Sequence, residues 1–445
     1  MPDEPIIARR TRPWTPSRLR ALLRSRGPTS VRFRQRIAVI AGAVAVGVVA
    51  VLFAQASDRM GSTFDRFVHR WPWAPLVTTP LGFMALVWLT RRYVPLARGS
   101  GIPQVMAARN DPAAATGDLI SVRAVTGKAL LTMGAILCGA SVGREGPTVQ
   151  LAAAVMGVSH RFLRVPLKSA VVIAGGAAGV AAAFNTPLAG VMFAIEELAA
   201  AYEQRVTLMV LSSIVIAGMV AQSLSGDYVY FGAIGAHLPL VAALAVVPVA
   251  GVGGGLAGGA FSRAVLALAT GRHRLTRWAK ARPVVFAGLC GVVVATLGVA
   301  TGLTWGTGYT AARAMMVSAD APLWFGPAKF TATLATAVAG LPGGIFAPSL
   351  AVGAGVGNLL HALFPHDPAG AVVILGMVAY FTGVVRAPLT AVIILSETTA
   401  SRGLMLPMFA TAFIADWASR SVCREKLYHG LSATFLPRAA RQPGR

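Results

Sequence analysis

Apolar residues along this chain run in long blocks. The stretch IAVIAGAVAVGVVAVLFA, which begins at Ile37, carries no charge, and LGFMALVWL (81–89) continues an apolar run from upstream. Similar blocks recur to about residue 415, with nothing longer than a loop between them. About 20 consecutive apolar residues in a helix cross a bilayer core, so this pattern predicts spanning helices. The expectation is an all-α polytopic membrane protein with one membrane domain over residues 37–430.

The apolar blocks are interrupted by glycine and proline at related positions. GREGPTVQLAAAVMGV begins at Gly143 and GIFAPSLAVGAGVGNL at Gly344. Pro147 aligns with Pro348, an offset of 201 (348 − 147). Carried forward without a gap, that offset lays TPLAGVMFAIEEL (186–198) on APLTAVIILSETT (387–399). It then matches Pro187 with Pro388, Leu188 with Leu389 and Glu196 with Glu397. The chain therefore reads as two related halves, roughly 37–225 and 240–430. Gly/Pro-interrupted segments in corresponding positions of two halves are the mark of a transporter whose ion site lies where broken helices meet. The offset alone leaves open whether the halves are parallel or inverted.

Each interruption reads as a helix start, because proline is favoured in the first helical turn and glycine permits the tight entry. A helix start exposes unpaired N–H groups and the positive end of the dipole. In an apolar setting those donors need a partner, and a small anion can be held by them without a full counter-charge. A third block, RGSGIPQV (98–105), adds a serine hydroxyl. Taken singly, each block reads first as a kink or a close helix crossing. Three together predict an anion site at converging helix N-termini.

Composition agrees with the membrane reading: 55% hydrophobic and only 13% charged residues. The net charge of +24 is concentrated in RRTRPWTPSRLRALLRSRGPTSVRFRQR (9–36) and in short loops such as RHRLTRWAKAR (272–282). Basic segments beside spans stay cytoplasmic and meet anionic lipid headgroups, so the partner they imply is lipid and no nucleic acid. Residues 1–36 are expected to form a basic cytoplasmic N-terminal tail and 431–445 a cytoplasmic C-terminal tail, with no cleavable signal. Cys138, Cys290 and Cys423 lack metal spacing, and His361 and His366 do not share a helical face. No metal, cofactor or catalytic residue is expected, and the chain does not read as an enzyme.

In this order and at these separations, GSGIP, GREGP and GGIFAP resemble the signature blocks of the CLC family of chloride channels and chloride/proton antiporters. The resemblance runs from about Ser100 to Tyr428. It implies a fold of two structurally inverted repeats of tilted and broken helices, and a homodimer in which each subunit holds its own anion path. It also implies a bacterial-type plasma (inner) membrane protein, multi-pass, with both termini cytoplasmic.

Residue by residue, the resemblance makes Glu145 the gating glutamate, whose carboxylate competes with the anion, and Gly143, Arg144 and Gly146 part of the anion pathway. Ser100 and Tyr428 match the hydroxyls that contact chloride. Ile345 and Phe346 match the pair whose backbone N–H groups face the same ion. Glu197 matches the internal proton-transfer glutamate of family antiporters. Its repeat position is Thr398, whereas Glu196 keeps an acid partner, and that asymmetry marks Glu197 as the function-specific residue.

Two departures stand out. Gln104 follows GSGIP where relatives often carry an acid, and Met106 stands where some bacterial antiporters carry another. The lysine that would pair with that acid is kept as Lys128, so it needs another partner, either Glu197 or a nearby carbonyl. Glu203 offers an alternative proton entrance. No long extension follows Tyr428, so no ATP-binding regulatory domain is expected. The reading is a chloride/proton antiporter exchanging chloride ions for protons. The alternatives are a passive voltage- or pH-gated chloride channel of the same fold, and a fluoride-selective relative.

Overall fold

The computed structural model describes residues 28–198, 204–226, 228–271, 274–318 and 322–436 of the 445. Glu203 and most of both expected tails fall outside them.

The regular structure is helical. The first half holds α1 (Pro28–Arg70), α2 (Pro75–Tyr93), α3 (Ile102–Ala108), α4 (Pro112–Ala115), α5 (Val122–Leu137), α6 (Glu145–Phe162), α7 (Ser169–Phe184), α8 (Pro187–Phe193) and α9 (Gln204–Ser225). The second holds α10 (Leu240–Thr270), α11 (Arg274–Ala281), α12 (Pro283–Thr301), α13 (Tyr309–Val317), α14 (Phe325–Ala339), α15 (Phe346–Leu363), α16 (Ala369–Val385), α17 (Pro388–Thr399), α18 (Met405–Val422) and α19 (Leu427–Ser432). Helix α1 takes in residues 28–36, which the charge pattern assigns to the tail.

Among the described residues, five helices are long and apolar enough to cross a membrane. Others fall short of a full span: α7 has 16 residues and α16 has 17, and α16 is buried from Gly370 to Val385. A fully buried apolar helix is a bundle centre, and α16 packs against α10, α15 and α18. Glycine lets these helices approach. A Cβ on Gly353 of α15 would overlap the backbone of Met377, and one on Gly254 of α10 would overlap Ala379.

Two sets of contacts show that the halves are related by a two-fold axis, as the expected inverted repeat requires. Gly143 N–H donates to the Gly344 carbonyl (2.8 Å), and Gly344 N–H donates to the Gly143 carbonyl (2.7 Å), forming an antiparallel bridge. These residues are repeat counterparts, and a residue that exchanges both bonds with its own counterpart sits on a two-fold axis. Away from the axis, Glu196 accepts from Leu389 N–H (3.0 Å) and Thr390 N–H (2.7 Å). In return, Glu397 accepts from Leu188 N–H (3.2 Å) and Ala189 N–H (2.8 Å). At the offset of 201 each contact maps onto the other. Both glutamates therefore cap the first turn of the opposite half's short helix, which fixes Glu196 as a structural residue.

The repeat also reaches where a single offset does not. Gly99-Ser100-Gly101 corresponds to Gly306-Thr307-Gly308 at an offset of 207 (306 − 99), because the second half is shorter between this loop and its lysine. All four glycines take positive φ, between 54° and 110°. Lys128 and Lys329 are both fully buried, and each donates to the carbonyls of its own glycine loop.

Candidate anion site

The site forms where three loops are stitched together ahead of three helices. Gly99 N–H donates to Leu341 O, and Gly343 N–H to Gly99 O (both 3.2 Å), which ties the entry of α3 to that of α15. The Gly143–Gly344 bridge ties the entry of α6 to the same strand of chain. The fit depends on missing side chains. A Cβ on Gly146 would overlap Ser100 Oγ, and one on Gly101 would overlap the Gly146 carbonyl. These glycines let three helix starts converge on one point, as the Gly/Pro blocks predict.

Helix α15 begins at Phe346 with Ile345 as its N-cap, and its first intrahelical bond runs from Ser349 N–H to Ile345 O (2.9 Å). The N–H groups of Ile345 and Phe346 precede that bond and belong to the unpaired first turn. The Phe346 ring faces away into an aromatic cluster with Phe184, Phe193, Phe381 and Tyr428. Ser100 and Tyr428 are buried, and their hydroxyls approach each other without completing a hydrogen bond. Both line a cavity of about 230 Å³ together with Ile345 and Gly343. At its open end stand the exposed basic residues Arg91, Arg98 and Lys280. Leu431, Thr434 and Phe435 also line it, so chain beyond residue 430 contributes to the vestibule.

Such a set of donors can hold a small anion with N–H and O–H groups alone, while basic residues at the mouth raise its local concentration.

Glu145 is buried at the first position of α6. Its carboxylate lies over Gly143 and faces the N–H groups of its own residue and of Ala347, which belong to the starts of α6 and α15. It thus occupies a place an anion would fill. Arg144 turns the other way: its guanidinium donates to Asp58 and to the Ala54 carbonyl (2.8 Å), both on α1. Its charge acts both on that helix and on the neighbouring Glu145 carboxylate.

Lys128 donates to Gly99 O (2.6 Å) and Arg98 O (3.3 Å), so carbonyls and not Glu197 partner it. Gln104 explains the missing acid. Its Oε1 accepts from Gly101 N–H (3.1 Å), and its Nε2 donates to Arg98 O (2.7 Å) and Leu96 O (3.1 Å). The lysine and the amide jointly hold the glycine loop that carries Ser100. Met106 is a buried core residue.

Glu197 is completely buried and makes no hydrogen bond among the described residues, away from the cavity. It lies in a π-turn, Ala194–Leu198, that continues α8. Its counterpart Thr398 lies in regular α-helix and donates to Ile394 O. A π-turn widens the helix and re-aims its side chains. Glu197 is thereby set beside Lys426 Nζ (3.7 Å) and His429 Nδ1 (3.4 Å). Sequence reasoning missed these two neighbours, although they flank Tyr428 in REKLYHGL.

Comparison with known proteins places these features in context. A family model described as "Voltage gated chloride channel" matches residues 81–420. A slow cyanobacterial Cl⁻/H⁺ antiporter is similar in fold, with a TM-score of 0.78 at 24% identity, covering 92% of this chain and 99% of that one. A CLC-type fluoride/proton antiporter gives 0.73 at 21% identity (94% and 99% covered), and a eukaryotic CLC transporter 0.70 at 20% (90% and 74% covered). With a family model matched over most of its length and the inverted-repeat fold shared, this chain belongs to the voltage gated chloride channel family, that of the CLC channels and transporters.

Proposed function

We propose that the protein exchanges chloride for protons across a bacterial inner membrane, as a homodimer with both termini cytoplasmic. The observation that carries this reading is the pairing of two buried acids of different setting. Glu145 faces helix N-termini where an anion would sit, and Glu197 is fully buried in a π-turn off the anion cavity. A transporter that exchanges protons for anions needs one titratable group that both ions contest and another that passes protons separately. Ser100, Tyr428 and the N–H groups of Ile345 and Phe346 would bind the chloride, and Gly143 and Gly146 would leave it room. The match of Ser100 and Tyr428 to the family's chloride-contacting hydroxyls favours chloride over fluoride as the cargo. The slow Cl⁻/H⁺ antiporter among the similar structures supports the same reading.

The test uses purified protein in liposomes with an outward chloride gradient and an external pH electrode. Wild type should take up protons against their gradient while chloride leaves. In Glu197→Gln, chloride should leave with no proton uptake. Chloride efflux without any pH change in wild type refutes exchange and leaves a passive chloride channel.

A further inference from the structure

Resting on the antiporter reading, we propose that His429 is the proton relay between water and Glu197, entering beside the anion vestibule and not through it.

Glu197 is 0% exposed, so a proton cannot reach it from water directly. Among the described residues, the titratable or charged groups that face it are Lys426 and His429 at the start of α19, Arg109 after α3, and Tyr428. Arg109 also donates to Leu198 O, which holds the π-turn in place. Lysine, arginine and tyrosine keep one protonation state through the neutral range, whereas imidazole titrates within it. His429 is the member of the set suited to collecting and releasing protons.

Its position matches that chemistry. The His429 side chain is 45% exposed, and its Nδ1 lies 3.4 Å from Glu197 Oε1. The side chain is thus part-exposed to water while its Nδ1 meets the buried carboxylate. The step is balanced: Nε2 takes a proton from hydronium, leaving water, as Nδ1–H passes its own to Glu197 Oε1, and a neutral imidazole and a neutral carboxyl remain. Lys426, 3.7 Å from Oε2 with a side chain 32% exposed, sets a positive charge beside the same carboxylate.

Neither His429, Lys426 nor Glu197 lines the cavity that holds Ser100 and Tyr428. Anion and proton therefore approach from separate surfaces of the same short helix, whose intervening residue, Tyr428, stands at the anion site. This entrance also accounts for an antiporter with glutamine at 104 and methionine at 106. The acids absent from α3 are replaced by a histidine on α19.

The experiment measures proton uptake and chloride efflux together for wild type, His429→Gln, His429→Ala and Glu197→Gln in liposomes, across a pH series on the His429 side. In His429→Gln the proton-to-chloride flux ratio should fall on the order of tenfold or more, the scale of a lost proton-transfer group. The dependence of wild-type proton uptake on pH on that side should weaken with it. Added imidazole should restore proton uptake in His429→Ala but not in Glu197→Gln, a rescue that a purely structural role does not give. If His429→Gln fails to insert, the imidazole response of His429→Ala decides alone. An unchanged flux ratio and pH profile in a wild type that does pump overturns the relay and leaves antiport standing. A wild type that moves no protons overturns both.

Discussion

The reciprocal capping by Glu196 and Glu397 makes a quantitative demand on stability. Each carboxylate accepts two backbone N–H groups at a helix start in the opposite half, and Glu196 also accepts from Thr390 Oγ1 (2.7 Å). A hydrogen bond to a charged group contributes about 1.5–3 kcal/mol, so two per site give roughly 3–6 kcal/mol before solvent is considered. Both glutamates are half-buried, so the lower figure is the better guide. Glu196→Ala and Glu397→Ala should each destabilise by about 3 kcal/mol, with glutamine at either position restoring roughly half through its remaining carbonyl. Because both contacts clamp the same α8–α17 interface, the double variant should lose less than the sum of the singles. The assay is unfolding in mixed micelles of increasing denaturing detergent, followed by helical circular dichroism. A loss below about 0.5 kcal/mol in either single variant, the level of an ordinary surface change, would refute the claim that these acids hold the halves together. So would fully additive losses, since independent contacts do not define one two-fold interface.

Three further outcomes follow from the site. Ser100→Ala and Tyr428→Phe each remove one O–H donor from a chloride ion and should weaken binding about tenfold or more by calorimetry, the equivalent of a charge-assisted hydrogen bond. Gly146→Ala pushes a methyl group into Ser100 Oγ and should abolish measurable chloride binding, whereas Gly157→Ala on the same helix, whose nearest neighbour is 3.7 Å away, should bind as wild type does. Glu145→Gln replaces the group that proton and anion contest, and its chloride efflux should become independent of pH and uncoupled from protons, as measured in the liposome assay.

Much of this architecture is legible in the sequence because membrane burial restricts what glycine, proline and charge can mean. The offset of 201 exposes the repeat, and the three Gly/Pro blocks mark the helix starts that build the site. Ser100, Glu145, Ile345, Phe346 and Tyr428 all converge there. The two-fold pairing of the halves was not legible, since an offset says nothing of contact; only contacts such as Gly143 with Gly344 reveal it. The partners of Arg144 were hidden for a related reason. Its place beside Glu145 suggests the anion path, but partner choice depends on α1, some ninety residues upstream, whose Asp58 is invisible as a neighbour in one dimension. Lys128 likewise required coordinates, because carbonyl partners leave no trace in side-chain identity. The second glycine loop at Gly306 escaped detection because a change in spacing shifts its offset to 207.

That second loop sharpens what the symmetry is for. Lys329 and Gly306-Thr307-Gly308 repeat the scaffold of Lys128 and Gly99-Ser100-Gly101, and Glu397 repeats Glu196. The duplicated features are structural: buried lysines on carbonyls, caps on helix starts, glycines at positive φ. The candidate functional groups are the ones that break the symmetry. Glu145 falls opposite Phe346, and Glu197 opposite Thr398, each pair at the offset of 201. A two-fold scaffold lowers the number of distinct helix interfaces the sequence must specify, yet a transporter has two unlike ends and must move unlike ions. Opposite Glu145, the second half supplies a backbone N–H at Phe346, so an acceptor carboxylate and a free helix-start donor come from equivalent positions of the two halves. Opposite Glu197, regular helix replaces the π-turn, so the buried acid exists on one side alone. The inverted repeat builds the meeting point of the helices, and its exceptions decide what passes through it.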